Sequence, residues 1–138
     1  MSEIKRVAET VWTGDTRQGN GRITRYSFAT HFNDARATGI EESLVMTHAA
    51  QYSLAFADTL IRKGYQPERL ETRAICSIAQ LDGRAIGITK MRLETRGRVP
   101  GMEQSAFAQT AVETERRCRA SNGLLKGPEI ELDAALMQ

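Results

Sequence analysis

The chain has 138 residues and a formal net charge of +2, and 26% of its residues are charged. That length fits a single domain, residues 1–138, which can bury about two-thirds of its unfolded surface. The arginines are spread along the sequence rather than clustered with aromatic residues, which argues against nucleic-acid binding. No apolar run approaches the ~20 residues that cross a membrane, so no membrane partner is expected.

The two cysteines, Cys76 and Cys118, lack the spacing of a metal site, and no secretory signal precedes them. A cytoplasmic location is therefore expected, with neither a metal nor another cofactor. Cys76 falls in a predicted strand of a hairpin, where a buried hydrophobic role is the favoured interpretation.

The first two elements are predicted to be strands. They cover Glu3 to Trp12 and Arg22 to Phe32, and polar, glycine-rich residues 13–21 join them. This pattern predicts an N-terminal hairpin with a long turn.

A long helix is predicted from Thr38 to Lys63. Thr38 and Glu41 fit a capping box at its start, while Gly64 and then Pro67 fit its end. The centre of the helix, residues 44–57, is apolar on almost every side except at His48 and Gln51. We therefore expect the helix to be buried, with partners for both polar side chains.

A second hairpin, a second helix and a last strand complete the pattern. Leu70 to Leu81 and Arg84 to Thr95 are predicted strands joined by Asp82-Gly83, which favours a type I′ turn. Pro100-Gly101 breaks the second of them, and Glu129 to Met137 is the last predicted strand. In the helix between these strands, four residues recur at helical spacing and form one stripe: Phe107, Ala111, Thr114 and Cys118. The stripe predicts that Cys118 faces inward.

This order of elements resembles the OsmC/Ohr family of thiol-dependent hydroperoxide reductases over nearly the whole chain. Short sequence matches occur in the same order and at matching separations. They are Trp12 with Gly14, Gly19 and Gly21; Glu41-Glu42; His48-Ala49-Ala50; Ile88-Thr89-Lys90-Met91; Val99-Pro100-Gly101-Met102; Phe107; and Cys118.

The resemblance implies an α+β, OsmC-like fold in which antiparallel sheets wrap around two helices. It also implies an intertwined homodimer with two sites at the subunit interface, each reducing a hydroperoxide. In the family, an attacking cysteine has its thiol pKa lowered by an arginine that a glutamate holds. A resolving cysteine on the second helix then forms a disulfide with it.

Two of these four parts are present. Glu41 matches the glutamate and Cys118 matches the resolving cysteine, whereas Gln51 replaces the attacking cysteine and His31 stands where the arginine is expected. Arg119 replaces the proline that follows the resolving cysteine, although Ser121 still matches. The two-cysteine mechanism is therefore predicted to be absent.

The same residues also have structural interpretations. Capping the helix accounts for Glu41, and a hydrogen-bonded core position accounts for His48. Cys118 is either an inert buried thiol or a reactive one, since neighbouring arginines lower its pKa while the helix C-terminus raises it. Gln51 carries two donors and an acceptor, so its amide can hydrogen-bond a ligand but cannot attack a peroxide.

Three hypotheses follow. The favoured one is a degenerate family member whose interface pocket, lined by Gln51, His31, His48, Glu41 and Cys118, binds a small hydrophobic ligand or a hydroperoxide. The second is a one-cysteine peroxidase that acts through Cys118. The third is a structural or interaction dimer without a small-molecule site.

Overall fold

The computed structural model of the chain describes residues 4–14, 19–26, 40–81, 85–121 and 129–137. These residues form seven elements: β1 (Ile4–Thr13), β2 (Asn20–Tyr26), α1 (Ile40–Arg62), β3 (Arg69–Leu81), β4 (Ala85–Arg98), α2 (Gln104–Ser121) and β5 (Glu129–Leu136). The fold class is α+β, and the order of elements is the predicted one.

The five strands form one sheet in the order β2-β1-β3-β4-β5. The pairs β1–β2 and β3–β4 are antiparallel, as the two predicted hairpins require, and the β1–β3 pair that joins them is antiparallel too. β5 is instead parallel to β4, because α2 carries the chain back between them. Parallel neighbours need a crossover connection of this kind.

One face of the sheet is buried beneath the helices. Alternate residues of β1, β3 and β4 are buried on this face, and most of the residues between them are half-exposed. The buried apolar side chains form one cluster. Its largest fully buried members are Tyr52, Phe56, Phe107, Leu60, Leu70, Met91 and Leu93.

Polar contacts fix α1 on β1. The hydroxyl of Thr10 lies 2.7 Å from that of Ser53 and 3.4 Å from the carbonyl oxygen of Ala49. Both hydroxyl-bearing side chains are buried. Leaving either unsatisfied would cost about 1–3 kcal/mol, so this contact selects the side of α1 that meets the sheet.

The C-terminal end of α1 follows its sequence signals. Gly64 has a φ of 95°, a left-handed conformation that glycine adopts without strain. The N–H of Tyr65 donates to the carbonyl of Leu60 at 3.0 Å, which closes the helix end. The predicted capping residue Thr38 lies outside the described residues, as does the predicted Asp82-Gly83 turn.

α2 is anchored on the sheet by the fully buried Phe107. A Cβ atom at Gly97 of β4 would lie 2.7 Å from the ring of Phe107 and 2.9 Å from the side chain of Leu70. The ring of Phe107 is also 5.1 Å from that of Phe56, measured between centroids. One aromatic side chain therefore joins both helices to the sheet, and it fits because residue 97 has no side chain.

The first residue of α2 also contacts β5. The side-chain amide of Gln104 donates to the carbonyl of Ala134 at 3.0 Å and accepts from the N–H of Leu136 at 2.8 Å. The N–H of Met137 donates to the carbonyl of Gly97 in β4. Because backbone groups alternate in direction along a strand, the groups held by Gln104 point away from β4.

The opposite face of the sheet, called here the outer face, carries charged side chains. On its β4–β5 side, Arg92 contacts Glu94, Glu131 and Asp133, and Arg96 contacts Asp133. These side chains are 25–41% exposed. Such ion pairs each contribute little to stability, because water screens them.

Candidate functional site

The candidate site lies where α1 packs against α2. His48, Tyr52 and Phe56 recur every four residues and share one side of α1. The hydroxyl of Tyr52 donates to the carbonyl of Ala111 in α2 at 2.8 Å, and the ring of Tyr52 lies 5.6 Å from that of Phe56. This side of α1 therefore faces α2.

Cys118 is half-buried on α2 and packs against the core, as its position on the predicted stripe implies. Glu115 precedes it by three residues and is 7% exposed. Residues three apart are neighbours on a helix surface. Tyr52, Glu115 and Cys118 interact electrostatically, which places the two residues of α2 near the tyrosine of α1.

The charges around Cys118 disfavour its thiolate. Burial raises the pKa of the Cys118 thiol above its ordinary value of 9.0, the Glu115 carboxylate raises it further, and the Arg117 guanidinium lowers it. Since the net shift is upward, Cys118 is a thiol at neutral pH. Only a thiolate is an effective nucleophile, so this arrangement suppresses attack by Cys118 on a peroxide.

His48 is 3% exposed. Burial lowers the pKa of His48 to about 4, so its imidazole is neutral at pH 7. Its Nδ1 atom has no hydrogen-bond partner among the described residues, unlike the satisfied core histidine that is one interpretation of the sequence. A neutral imidazole has one donor nitrogen and one acceptor nitrogen, so this buried Nδ1 atom has a hydrogen-bonding capacity that no described residue uses.

Gln51 lies on a different side of α1. It is exposed, together with Thr47 and Leu54, and the expectation that Gln51 is buried with a partner is wrong for the single subunit described. The reason is that the sheet and α2 cover only two sides of α1, which leaves a third side uncovered. Leu54 is 41% exposed on that side.

Two of the predicted site residues cannot be placed beside these groups. His31 lies outside the described residues. The backbone of Glu41 lies in the first turn of α1, where its predicted position puts it, but its side chain lies outside the described part of the structure.

Tyr52 and Glu115 belong to the cluster around Cys118 but were not predicted from the sequence. A signal for Glu115 was present, because it follows Ala111 by four residues and precedes Cys118 by three on the buried stripe. Tyr52 had a weaker signal, its position four residues after His48. Their meeting depends on how α1 packs against α2, which the spacing within one helix does not give.

The described ranges contain no group of three or more histidine, cysteine, aspartate or glutamate side chains arranged to hold a metal ion. Neither Cys76 nor Cys118 is part of a disulfide, and Cys76 is fully buried on β3. Neither α1 nor α2 meets the length and apolarity that crossing a membrane requires.

Two solved structures resemble this fold over nearly all of the chain. One is an organic hydroperoxide resistance protein OsmC from Legionella pneumophila, with a TM-score of 0.59 and 14% identity over 98% of this chain and 97% of that one. The other is an organic hydroperoxide resistance protein from Elizabethkingia anophelis, with a TM-score of 0.57 and 17% identity over 94% and 96%. At these identities, the likeness establishes the fold alone.

Sequence comparison adds closer relatives. Proteins named peroxiredoxin OsmC from Escherichia coli (strain K12) and Shigella flexneri are each 30% identical to this chain, over 96% of its length and 97% of theirs. No family model matches the chain. Since the identity extends over nearly the whole of both chains and the fold agrees, this chain belongs to the OsmC/Ohr family.

Proposed function

We propose that this protein binds a small ligand, a hydroperoxide or another small hydrophobic molecule, and does not reduce hydroperoxides by the two-cysteine route. The names of its relatives, peroxiredoxin and organic hydroperoxide resistance protein, support a role in the response to oxidative stress. The observation that carries the proposal is Gln51, which stands where the resemblance to the family places the attacking cysteine.

The amide of Gln51 suits binding rather than attack. It offers two hydrogen-bond donors and one acceptor to a hydroxyl, peroxide or carbonyl group, but it has no thiolate to cleave an O–O bond. His48 precedes it by three residues and is therefore its neighbour on α1. The Nδ1 of this neutral imidazole is buried and has no partner among the described residues, so it would join the same pocket only where the ligand reaches below the surface of α1.

Cys118 does not supply the missing nucleophile in this proposal. Its pKa is raised by burial and by Glu115, so little thiolate is present at neutral pH. This opposes the alternative of a one-cysteine peroxidase. The proposed place of Cys118 is in the wall of the pocket, as a neutral thiol.

The proposed pocket is completed by a second copy of the chain. Leu54 and Val112 are large hydrophobic residues with 41% and 39% exposure, one on each helix. A homodimer that covers them would also cover Gln51, which shares the uncovered side of α1 with Leu54. A cytoplasmic location suits two cysteines that are not joined in a disulfide, since thiols persist under reducing conditions.

A binding measurement tests the pocket without requiring turnover. The probe is 2-phenyl-2-propanol, the unreactive alcohol related to cumene hydroperoxide, titrated into the protein in a calorimeter. Saturable binding is expected, weakened in Gln51→Ala and unchanged in Gln66→Ala, which alters an exposed glutamine in the α1–β3 loop. No saturable binding, or equal effects of the two variants, would contradict the ligand pocket.

A peroxidase assay tests the chemistry. With tert-butyl hydroperoxide and excess dithiol, the wild-type protein and Cys118→Ser should both show only the background rate. Gln51→Cys should add slow turnover, and Gln51→Cys with His31→Arg much more, with a coupling of at least about 1 kcal/mol in the barrier because the two groups act together. Wild-type turnover that disappears in Cys118→Ser would instead establish the one-cysteine enzyme.

A further inference from the structure

A separate polar cleft lies on the outer face of the sheet, away from both helices. It has a volume of about 190 Å³ and is lined by Val11, Thr13, Asn20, Arg22 and Arg69. Four of these five side chains carry hydrogen-bond donors, and none is a carboxylate. The cleft is therefore suited to an electron-rich, negatively charged group.

The strand register gathers basic residues at this cleft. Two adjacent rows of residues cross β2, β1, β3 and β4 on the outer face. They are Asn20, Thr13, Arg69 and Arg98 in one row, and Arg22, Val11, Glu71 and Arg96 in the next. Four of these eight residues are arginines, and Glu71 is the only acid among them.

The arginines at the cleft retain unused hydrogen-bonding capacity. Arg69 donates from its Nε atom to Glu71 at 2.7 Å, and its terminal nitrogens make no bond to any described residue. Arg22 and Arg98 are exposed, and neither makes an ion pair with another residue in the described ranges. Among the described residues, no carboxylate occupies the terminal nitrogens of these guanidinium groups, which can each bind an anion through paired N–H groups.

The position of Arg98 adds a second, independent argument. It lies directly opposite Arg69 on the neighbouring strand. Like charges at opposed positions destabilise an antiparallel pair. An anion bound between them would relieve that repulsion.

We propose that this cleft is a binding site for a small polyvalent anion that carries phosphate groups. The Arg22 and Arg69 guanidinium groups line the cleft and match phosphate oxygens, and the Thr13 hydroxyl and Asn20 amide supply neutral donors. Arg98 does not line the cleft but lies opposite Arg69 on β4, where it adds positive charge at the margin. A volume of about 190 Å³ suits a group of the size of diphosphate. The two rows include no aromatic side chain on which a base would stack, so a nucleic acid is not the favoured occupant.

Calorimetric titration with sodium diphosphate tests the site, in a buffer with EDTA and at low ionic strength, where surface charges are least screened. Saturable binding is expected, with a Kd raised about fivefold in Arg22→Gln and in Arg98→Gln. Arg92→Gln is the matched control, because it removes the same charge from the same face of the sheet beside Glu94, Glu131 and Asp133. The control should bind as the wild type does.

Two outcomes would overturn the proposal. One is the absence of saturable diphosphate binding, and the other is an equal loss in Arg92→Gln and Arg98→Gln, which would indicate attraction by net charge alone. Adenosine diphosphate provides a further comparison. If adenosine diphosphate binds as tightly as diphosphate, the result supports recognition of the phosphate groups. If adenosine diphosphate binds and diphosphate does not, recognition of the phosphate groups alone is excluded.

Discussion

His48, Tyr52 and Cys118 are kept in their neutral forms largely by burial between and beside the two helices. A site that activates a thiol needs positive charge next to sulfur, and here the buried acid Glu115 acts in the opposite direction. If Gln51 replaces an attacking cysteine, as proposed above, that replacement and the raised pKa of Cys118 agree with each other. Both favour a pocket that binds a neutral or weakly polar molecule.

The buried imidazole predicts a specific dependence of stability on pH. The pKa of His48 falls from 6.5 in a solvated chain to about 4 in the folded protein, so between these values the unfolded chain binds more protons. The contribution to stability is complete above pH 6.5 and is lost as the pH falls toward 4. From pH 7 to pH 5, the free energy of unfolding should fall by about 2 kcal/mol because of this group.

Urea unfolding of the wild type and His48→Gln at the two pH values measures this effect. Carboxylates titrate in both proteins, so the informative quantity is the difference between their declines. The decline in the free energy of unfolding from pH 7 to pH 5 should therefore be smaller in His48→Gln, because the variant lacks the contribution of His48. Equal declines would show that the imidazole is solvated or paired in the folded protein.

At the scale of the secondary-structure elements, the contact between Gly97 and Phe107 holds α2 to the sheet. Gly97→Ala should lower the free energy of unfolding by about 1–3 kcal/mol, because the added methyl group overlaps the buried ring. Urea denaturation measures this change.

The double variant Gly97→Ala with Phe107→Leu separates this overlap from general damage to β4. Removing the ring should relieve the steric conflict, so the double variant should lose less stability than the sum of the single variants. If the stability losses of the two single variants simply add in the double variant, the methyl group at residue 97 does not act through the ring of Phe107.

Much of this level of structure follows from local sequence. Capping signals and breakers predict a helix over residues 38–63, and the described helix covers Ile40–Arg62. The predicted strand over residues 84–95 is longer in the structure, where β4 extends to Arg98. The end of predicted β2, residues 27–32, lies outside the described part of the chain.

Less of the candidate site could be predicted. Hydrophobic spacing within α2 predicted the inward position of Cys118, because that position depends on one helix alone. The exposure of Gln51 and the cluster of Tyr52 with Glu115 depend on which sides of α1 are covered, and the parallel β4–β5 pair depends on the path of α2. These properties depend on how separate elements pack together, and the spacing of hydrophobic residues within one element does not predict that packing.

At the scale of the whole molecule, we expect a homodimer. Sedimentation at micromolar concentration should give about twice the 15.3 kDa mass of the chain. Leu54→Asp should shift the protein toward monomer, since it places a charge on the uncovered side of α1, while Gln66→Asp in the exposed loop should not. A folded wild-type monomer would remove the basis for a pocket shared between subunits.

The Gln104 contact has a consequence for how this molecule avoids aggregation. β5 is an edge strand of the sheet that the described residues form, and the backbone groups on the outer side of such a strand are a template on which a strand of another molecule can add. The side-chain amide of Gln104 supplies one donor and one acceptor to these groups, as a single residue of an added strand would. At this point a foreign strand must first displace the amide, so one glutamine protects the edge without adding a strand to the fold.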